Sequence, residues 1–229
     1  MQEIVDGIYR WTAPHPEWRT RVEWGHEVAC FALASRERLA LIDPLLPSDS
    51  RRDQVLATLD GFADGAARID LAITVPYHTR SAEELYRRYR DGTPTAIWGH
   101  PAVSRRFDDP QTPLRVVEPG TTIDGAAIAY AIGKPRRHEM PLYFPKWKAL
   151  AFGDTVIGID GRLRVWEQAS TDREWYERRF VPTLRPLLEP DVERVLVTHG
   201  PPVLHDGRRA LEDALAAGPW DYRTAKTSS

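Results

Sequence analysis

The stretch IDLAITVPYHTRSAEELYRRY, residues 69–89, contains a complete strand–loop–helix unit. Ile69 to Val75 is a short apolar run, the pattern of a strand buried on both faces. Ser81 and Glu84 form an S-x-x-E capping box, which starts a helix carrying Leu85, Tyr86 and Tyr89. Between them, Pro76-Tyr77-His78-Thr79-Arg80 must be a loop at the strand's carboxyl end. A doubly buried strand followed by a helix predicts α/β layering rather than an all-β or all-α domain.

Working outward from this unit, the same grammar recurs. Upstream, Glu3 to Trp11, Glu27 to Ala34 and Leu39 to Ile42 read as strands, the last closing on Asp43-Pro44, and Ser50 to Phe62 reads as a helix with one apolar face. Downstream, strands are predicted at Pro94 to Trp98, Arg115 to Val117, Ala127 to Ile132 and Ala149 to Phe152. Thr171 and Glu174 suggest a second capping box, for a helix that Pro182 interrupts. Arg194 to Val197 is a strand ending in Thr198-His199-Gly200, and a last helix, Arg208 to Ala217, stops at Gly218-Pro219. No linker or internal repeat divides the chain. The simplest expectation is a single domain over residues 1–219 with a flexible tail at 220–229.

Composition narrows the function classes. The 229 residues are 42% hydrophobic and 10% aromatic, with eight Trp, which suits a globular core. A formal charge of −2 is far from the basic surplus of a phosphate-backbone binder, so nucleic acid is not an expected partner. No apolar run approaches the eighteen or so residues needed to span a bilayer. The N-terminus MQEIVDGIYR resembles no export signal, and the expectation is a soluble cytoplasmic protein. The single cysteine, Cys30, sits mid-strand and reads as a buried small apolar group; it excludes an internal disulfide or a CxxC knuckle, so any metal would need His and carboxylate ligands.

The sequence lacks a GxSxG elbow, a GxxxxGK[ST] loop and a GxGxxG fingerprint. What remains is a dispersed set of polar residues at or near predicted strand ends: Asp43, His78, His138, Asp154 and His199. In open α/β sheets, ligands bind in the crevice beyond the carboxyl ends of strands. Singly, Asp154 reads as a turn former and His199 as a strand-end histidine bonded to backbone. The ordered set carries more weight than any member.

In that order, the sequence resembles the metallo-β-lactamase superfamily from Asp43 through His199. LIDPLL is similar to the family's first acidic strand end, KPRRHEMPLYF followed by KALAFGDTVIG to its Pro-Gly-His and strand-Gly-Asp pair, and VERVLVTHGPP to its final strand ending in His-Gly. The resemblance implies a four-layer αββα sandwich and a hydrolase-type fold, with His138, Asp154 and His199 on metal-ligand positions and Asp43 supporting them. The departure lies where the family's HxHxDH signature should stand. In one register its four ligand positions hold Val75, Tyr77, Thr79 and Arg80; slipped by one, they hold Pro76, His78, Arg80 and Ser81. No dinuclear centre is therefore expected, because two ions about 3.5 to 4 Å apart need more ligands.

Two readings follow. The first is a hydrolase of a small ester, thioester or lactone-like substrate, using one divalent metal, zinc by preference, on His138, Asp154 and His199, or none. Without a metal, His78 or His199 would be the base and Arg80 the oxyanion stabiliser. The second is a non-catalytic binder of an anionic ligand, in which Arg80, permanently charged and donor-only, replaces a metal and pairs with Asp154. His78 and Arg80 also fit plain local bonding in a loop entering a helix. Tyr77 fits a packed aromatic as well as a substrate contact, and Trp18 and Trp24 fit either a substrate-facing lid or the domain edge.

Overall fold

The antiparallel meander expected at the N-terminus opens a mixed sheet. The computed structural model describes residues 1–19, 25–167 and 172–221. It divides into two compact units, one of residues 1–16 and 27–118, the other of residues 17–26 and 119–229.

In the first unit the strands are β1 (Gln2–Val5), β2 (Ile8–Pro14), β3 (Glu27–Ala34), β4 (Leu39–Ile42), β5 (Ile69–Ile73), β6 (Thr95–Gly99) and β7 (Leu114–Val116), with helices α1 (Arg52–Gly65) and α2 (Ala82–Tyr89). They form one seven-stranded sheet in sequence order. β1 to β4 pair antiparallel and β4 to β7 parallel. The parallel half follows from the crossovers: α1 returns the chain from β4 to β5 and α2 from β5 to β6. The strand expected over Glu3 to Trp11 is a hairpin, because Gly7 takes φ +72 and reverses the chain. The helix after Ser81 begins as expected but without the capping bonds. The Ser81 hydroxyl accepts the Leu46 N–H at 2.9 Å, and Glu84 reaches Arg52 on α1. Asp70, facing inward from β5, is neutralised by Arg38 and Arg68 and bonded by the Trp98 indole at 2.8 Å.

The second unit holds β8 (Thr122–Ile123), β9 (Ala127–Ala129), β10 (Leu142–Phe144), β11 (Ala149–Phe152), β12 (Val156–Ile159) and β13 (Arg162–Trp166). After them come α3 (Arg173–Trp175), α4 (Val181–Leu184), β14 (Arg194–Val197), α5 (Gly207–Ala216) and β15 (Pro219–Trp220). One sheet runs β14-β11-β10-β9-β8, the other β12-β13-β15. Asp172 caps α3 by accepting the Trp175 N–H at 3.1 Å; Thr171, the expected cap, lies outside the described residues. Between α3 and α4 the turns widen to a π-helical stretch, Tyr176–Phe180, directly before the Pro182 that was expected to interrupt the helix. Phe152, Tyr176, Phe180 and Leu211 anchor the core of this unit. No described helix is long and apolar enough to cross a membrane.

Candidate functional site

Each unit brings one carboxylate and one imidazole together by the same device. In the first, β4 and β5 are parallel neighbours, so the residues that follow them emerge at one edge of the sheet. Asp43, directly after β4, adopts φ +46, and one carboxylate oxygen accepts the Thr74 N–H at 2.8 Å. The other accepts the Thr74 hydroxyl and lies 2.9 Å from His78 Nδ1. Both residues are sealed from solvent, Asp43 at 1% and His78 at 2% exposure. A carboxylate only accepts, so in this contact Nδ1 is the donor.

Arg80 closes the same turn. It adopts φ +41, unusual for a side chain of its size, and donates from Nη1 to the Asp43 carbonyl at 3.0 Å. Its Nε and Nη2 atoms are buried without a hydrogen-bond partner. Cys30 is fully buried, as expected. Its Sγ accepts the Leu45 N–H at 3.2 Å, and burial pushes the thiol up to about 11 against the opposing pull of the Arg80 guanidinium. Tyr77 is 49% exposed and meets the His78 ring edge-on, centroids 5.2 Å apart.

In the second unit β11 and β14 are parallel, with Phe152 opposite Val197. Asp154 and His199 follow these strands, and Asp154 Oδ1 lies 3.3 Å from His199 Nε2, both side chains largely buried. Trp166 stands edge-on to His199 at 5.3 Å, and Arg136 lies over the Trp166 ring while donating to its carbonyl at 3.0 Å. His138 behaves differently from its two companions. It is exposed, and its Nε2 accepts from Arg137 Nε at 3.1 Å. The neighbouring Glu139, which sequence reasoning passed over, points inward instead. It accepts the N–H groups of Gly153 and Thr155 at 3.0 and 2.9 Å and the Thr155 hydroxyl at 2.7 Å, gripping both sides of Asp154. Burial, reinforced by the Asp154 charge, pushes its carboxyl up to about 7. Nothing local in HEMP distinguishes the inward residue from the outward one. Trp18 is half-buried and meets His26 edge-on, centroids 4.9 Å apart. Trp24 lies outside the described residues.

A catalytic zinc typically takes three protein ligands. Among the described residues, no three His, Cys, Asp or Glu side chains are grouped to hold a metal ion. Of the trio His138, Asp154 and His199, the last two lie 3.3 Å apart.

No protein-family model and no curated protein matches the sequence. Solved structures do. A metallo-β-lactamase from Pontibacter korlensis is 15% identical, with 94% of this chain and 97% of that one covered and a TM-score of 0.60. One from Erythrobacter litoralis is 13% identical over 94% and 95%, also with a TM-score of 0.60. The metallo-β-lactamase family protein TTHA1429 from Thermus thermophilus is 18% identical over 94% and 80%, with a TM-score of 0.55. The chain has the metallo-β-lactamase fold. This is the αββα class expected from the sequence, retained where few residues are shared. Within this metallo-β-lactamase fold, the loop after β5 carries His78 and Arg80, where the resemblance to the superfamily implies a ligand-rich signature.

Proposed function

We propose that this chain hydrolyses a small ester, thioester or lactone-like substrate without a metal ion, with His78 as general base and Asp43 as the group that orients it. The observation that carries this reading is the 2.9 Å contact between Asp43 and His78 Nδ1, with both Asp43 oxygens otherwise tied to Thr74. A base held in one tautomer by a fixed carboxylate is the recurring arrangement for activating a hydroxyl or water. His78 Nε2 takes a proton from water as its oxygen attacks the substrate carbonyl. The same proton then passes to the leaving oxygen or sulfur as the tetrahedral intermediate collapses. Arg80 places a fixed positive charge at this strand end, where it offsets the negative charge that develops on the carbonyl oxygen.

A second reading, ligand binding without turnover, draws support from the deep burial of His78 and from the two Arg80 nitrogens that lack partners. A buried guanidinium with unused donors favours an anion. In this reading the Arg80 guanidinium is the charge that holds the ligand.

The test is a panel of small esters, thioesters and lactones assayed with chelator present. Hydrolysis predicts turnover that survives chelation and falls about 10² to 10⁴-fold in His78→Ala, with Asp43→Asn also impaired. Binding predicts no turnover and ligand-dependent stabilisation lost in Arg80→Gln. Turnover that requires zinc and disappears with Asp154→Ala would refute both.

A further inference from the structure

We propose that Trp11, Cys30 and Ser81 are positioning residues for the Asp43–His78 pair: together they fix the backbone that follows Asp43, and with it the direction in which the Asp43 carboxylate points. The assignment rests on the reading of His78 as a general base and extends it to three side chains that act on the pair through the main chain.

β4 ends at Ile42, and residues 43–46 continue without regular secondary structure, yet all four are buried. Buried main-chain polar groups outside a ladder need partners from elsewhere. Here each group from the Asp43 carbonyl to the Leu46 N–H has one. The Asp43 carbonyl accepts from Arg80 Nη1 at 3.0 Å, and the Pro44 carbonyl accepts the Ser81 N–H at 3.0 Å. Pro44 itself has no N–H to satisfy. The Leu45 N–H donates to Cys30 Sγ at 3.2 Å, the Leu45 carbonyl accepts the Trp11 indole N–H at 2.8 Å, and the Leu46 N–H donates to the Ser81 hydroxyl at 2.9 Å. Trp11 and Cys30 stand directly opposite each other on β2 and β3, so their side chains project to the same face and reach the two polar groups of one residue.

Ser81 shows that this anchoring takes precedence over the local needs of the helix. It occupies the N-cap of α2, where a serine hydroxyl ordinarily accepts an N–H from the first turn. Here it makes no such bond, and its hydroxyl is committed to Leu46, 35 residues away in the chain. Arg80 and Ser81 also belong to the loop that carries His78, whose own N–H donates to the Val75 carbonyl at 2.9 Å. One loop thus bears the imidazole and, just after it, the groups that hold the segment bearing its carboxylate partner. The 2.9 Å contact between Asp43 and His78 is set by these main-chain anchors together with Thr74. Such placement matters for rate, because a shift of about 1 Å in a catalytic group can cost about 10²-fold.

The experiment uses the full chain with nitrogen-15 in its histidine side chains, as wild type, Ser81→Ala, Trp11→Phe and Asp43→Asn. His78→Ala assigns the His78 Nδ1–H resonance, and circular dichroism checks folding. Wild type should show this proton far downfield, and Asp43→Asn should move it upfield or abolish it. Ser81→Ala should move it the same way although the substitution lies outside the pair. Trp11→Phe keeps an aromatic ring and removes the donor to Leu45; it decides the question if Ser81→Ala does not fold. With an ester that the wild type hydrolyses in the presence of chelator, kcat should fall about tenfold or more in the deciding variant while KM holds within about twofold. A missing wild-type signal, an unshifted signal in the deciding variant, or a raised KM with kcat unchanged would overturn the assignment. Wild type that hydrolyses no ester but shows the expected shifts would instead refute the catalytic reading and leave the positioning of the pair standing.

Discussion

Glu139 holds Asp154 in place by accepting from the residues on either side of it, and this sets up opposing effects on its own proton. The Thr155 bonds favour the carboxylate; burial and the neighbouring Asp154 charge disfavour it and prevail, leaving the group titrating at about 7 rather than 4.5. Because the folded state binds this proton more tightly than the unfolded state, the contribution is full below the ordinary value of 4.5 and is lost as pH rises through about 7. The full loss is on the order of 3 kcal/mol. Urea midpoints measured from pH 4 to 8 should decline across that window and level off above it. Glu139→Gln, which cannot titrate, should be flatter across the window. A variant that follows the wild-type slope would show that another group carries the titration.

At the scale of elements, β12 and the turn after β14 approach closely enough to exclude side chains. The Gly158 N–H donates to the His199 carbonyl at 2.8 Å. A Cβ on Gly200, which adopts φ +84, would lie 1.8 Å from the Gly158 carbonyl oxygen, and one on Gly158 would lie 2.2 Å from that of Pro201. Gly161 also has positive φ, +73, but open space around it. Gly161→Ala should therefore cost about 1 kcal/mol of backbone strain, while Gly200→Ala should cost more than about 3 kcal/mol and displace His199. Urea denaturation of both variants separates strain from collision; equal losses would mean the turn relaxes freely. These elements were unevenly visible in the sequence. Glu27–Ala34, Leu39–Ile42, Ala149–Phe152 and Arg194–Val197 are strands over the predicted residues, because each is an apolar run bounded by polar turns. The β12–β13 hairpin escaped although Asp160-Gly161 marks its turn, with both residues at positive φ. There, Arg162 and Arg164 alternate with Leu163 and Val165 and break the continuous apolar signature. His138 and Glu139 show the limit for the site: two adjacent polar residues, of which only the packing around Gly153 and Thr155 selects the one that turns inward.

Across the whole molecule, the same construction appears twice. Adjacent parallel strands deliver Asp43 and His78 in one unit, Asp154 and His199 in the other. Among the described residues no third His, Cys, Asp or Glu joins either pair to make a group that could hold a metal ion, and a catalytic zinc typically takes three protein ligands. The metallo-β-lactamase fold is shared at 12–18% identity with its structural neighbours, since buried apolar patterning maintains a fold through extensive substitution. The expected consequence is thermodynamic. A zinc site of micromolar affinity would stabilise the folded chain by about 2.7 kcal/mol at a hundredfold excess of free ion over Kd. Chain purified without chelator should contain well under one equivalent of zinc, and its melting temperature should not rise when zinc is added to 100 μM. If zinc instead raises the melting temperature, and Asp154→Ala abolishes the rise, then a third ligand is recruited on binding and the metal-free chemistry proposed for His78 must be given up.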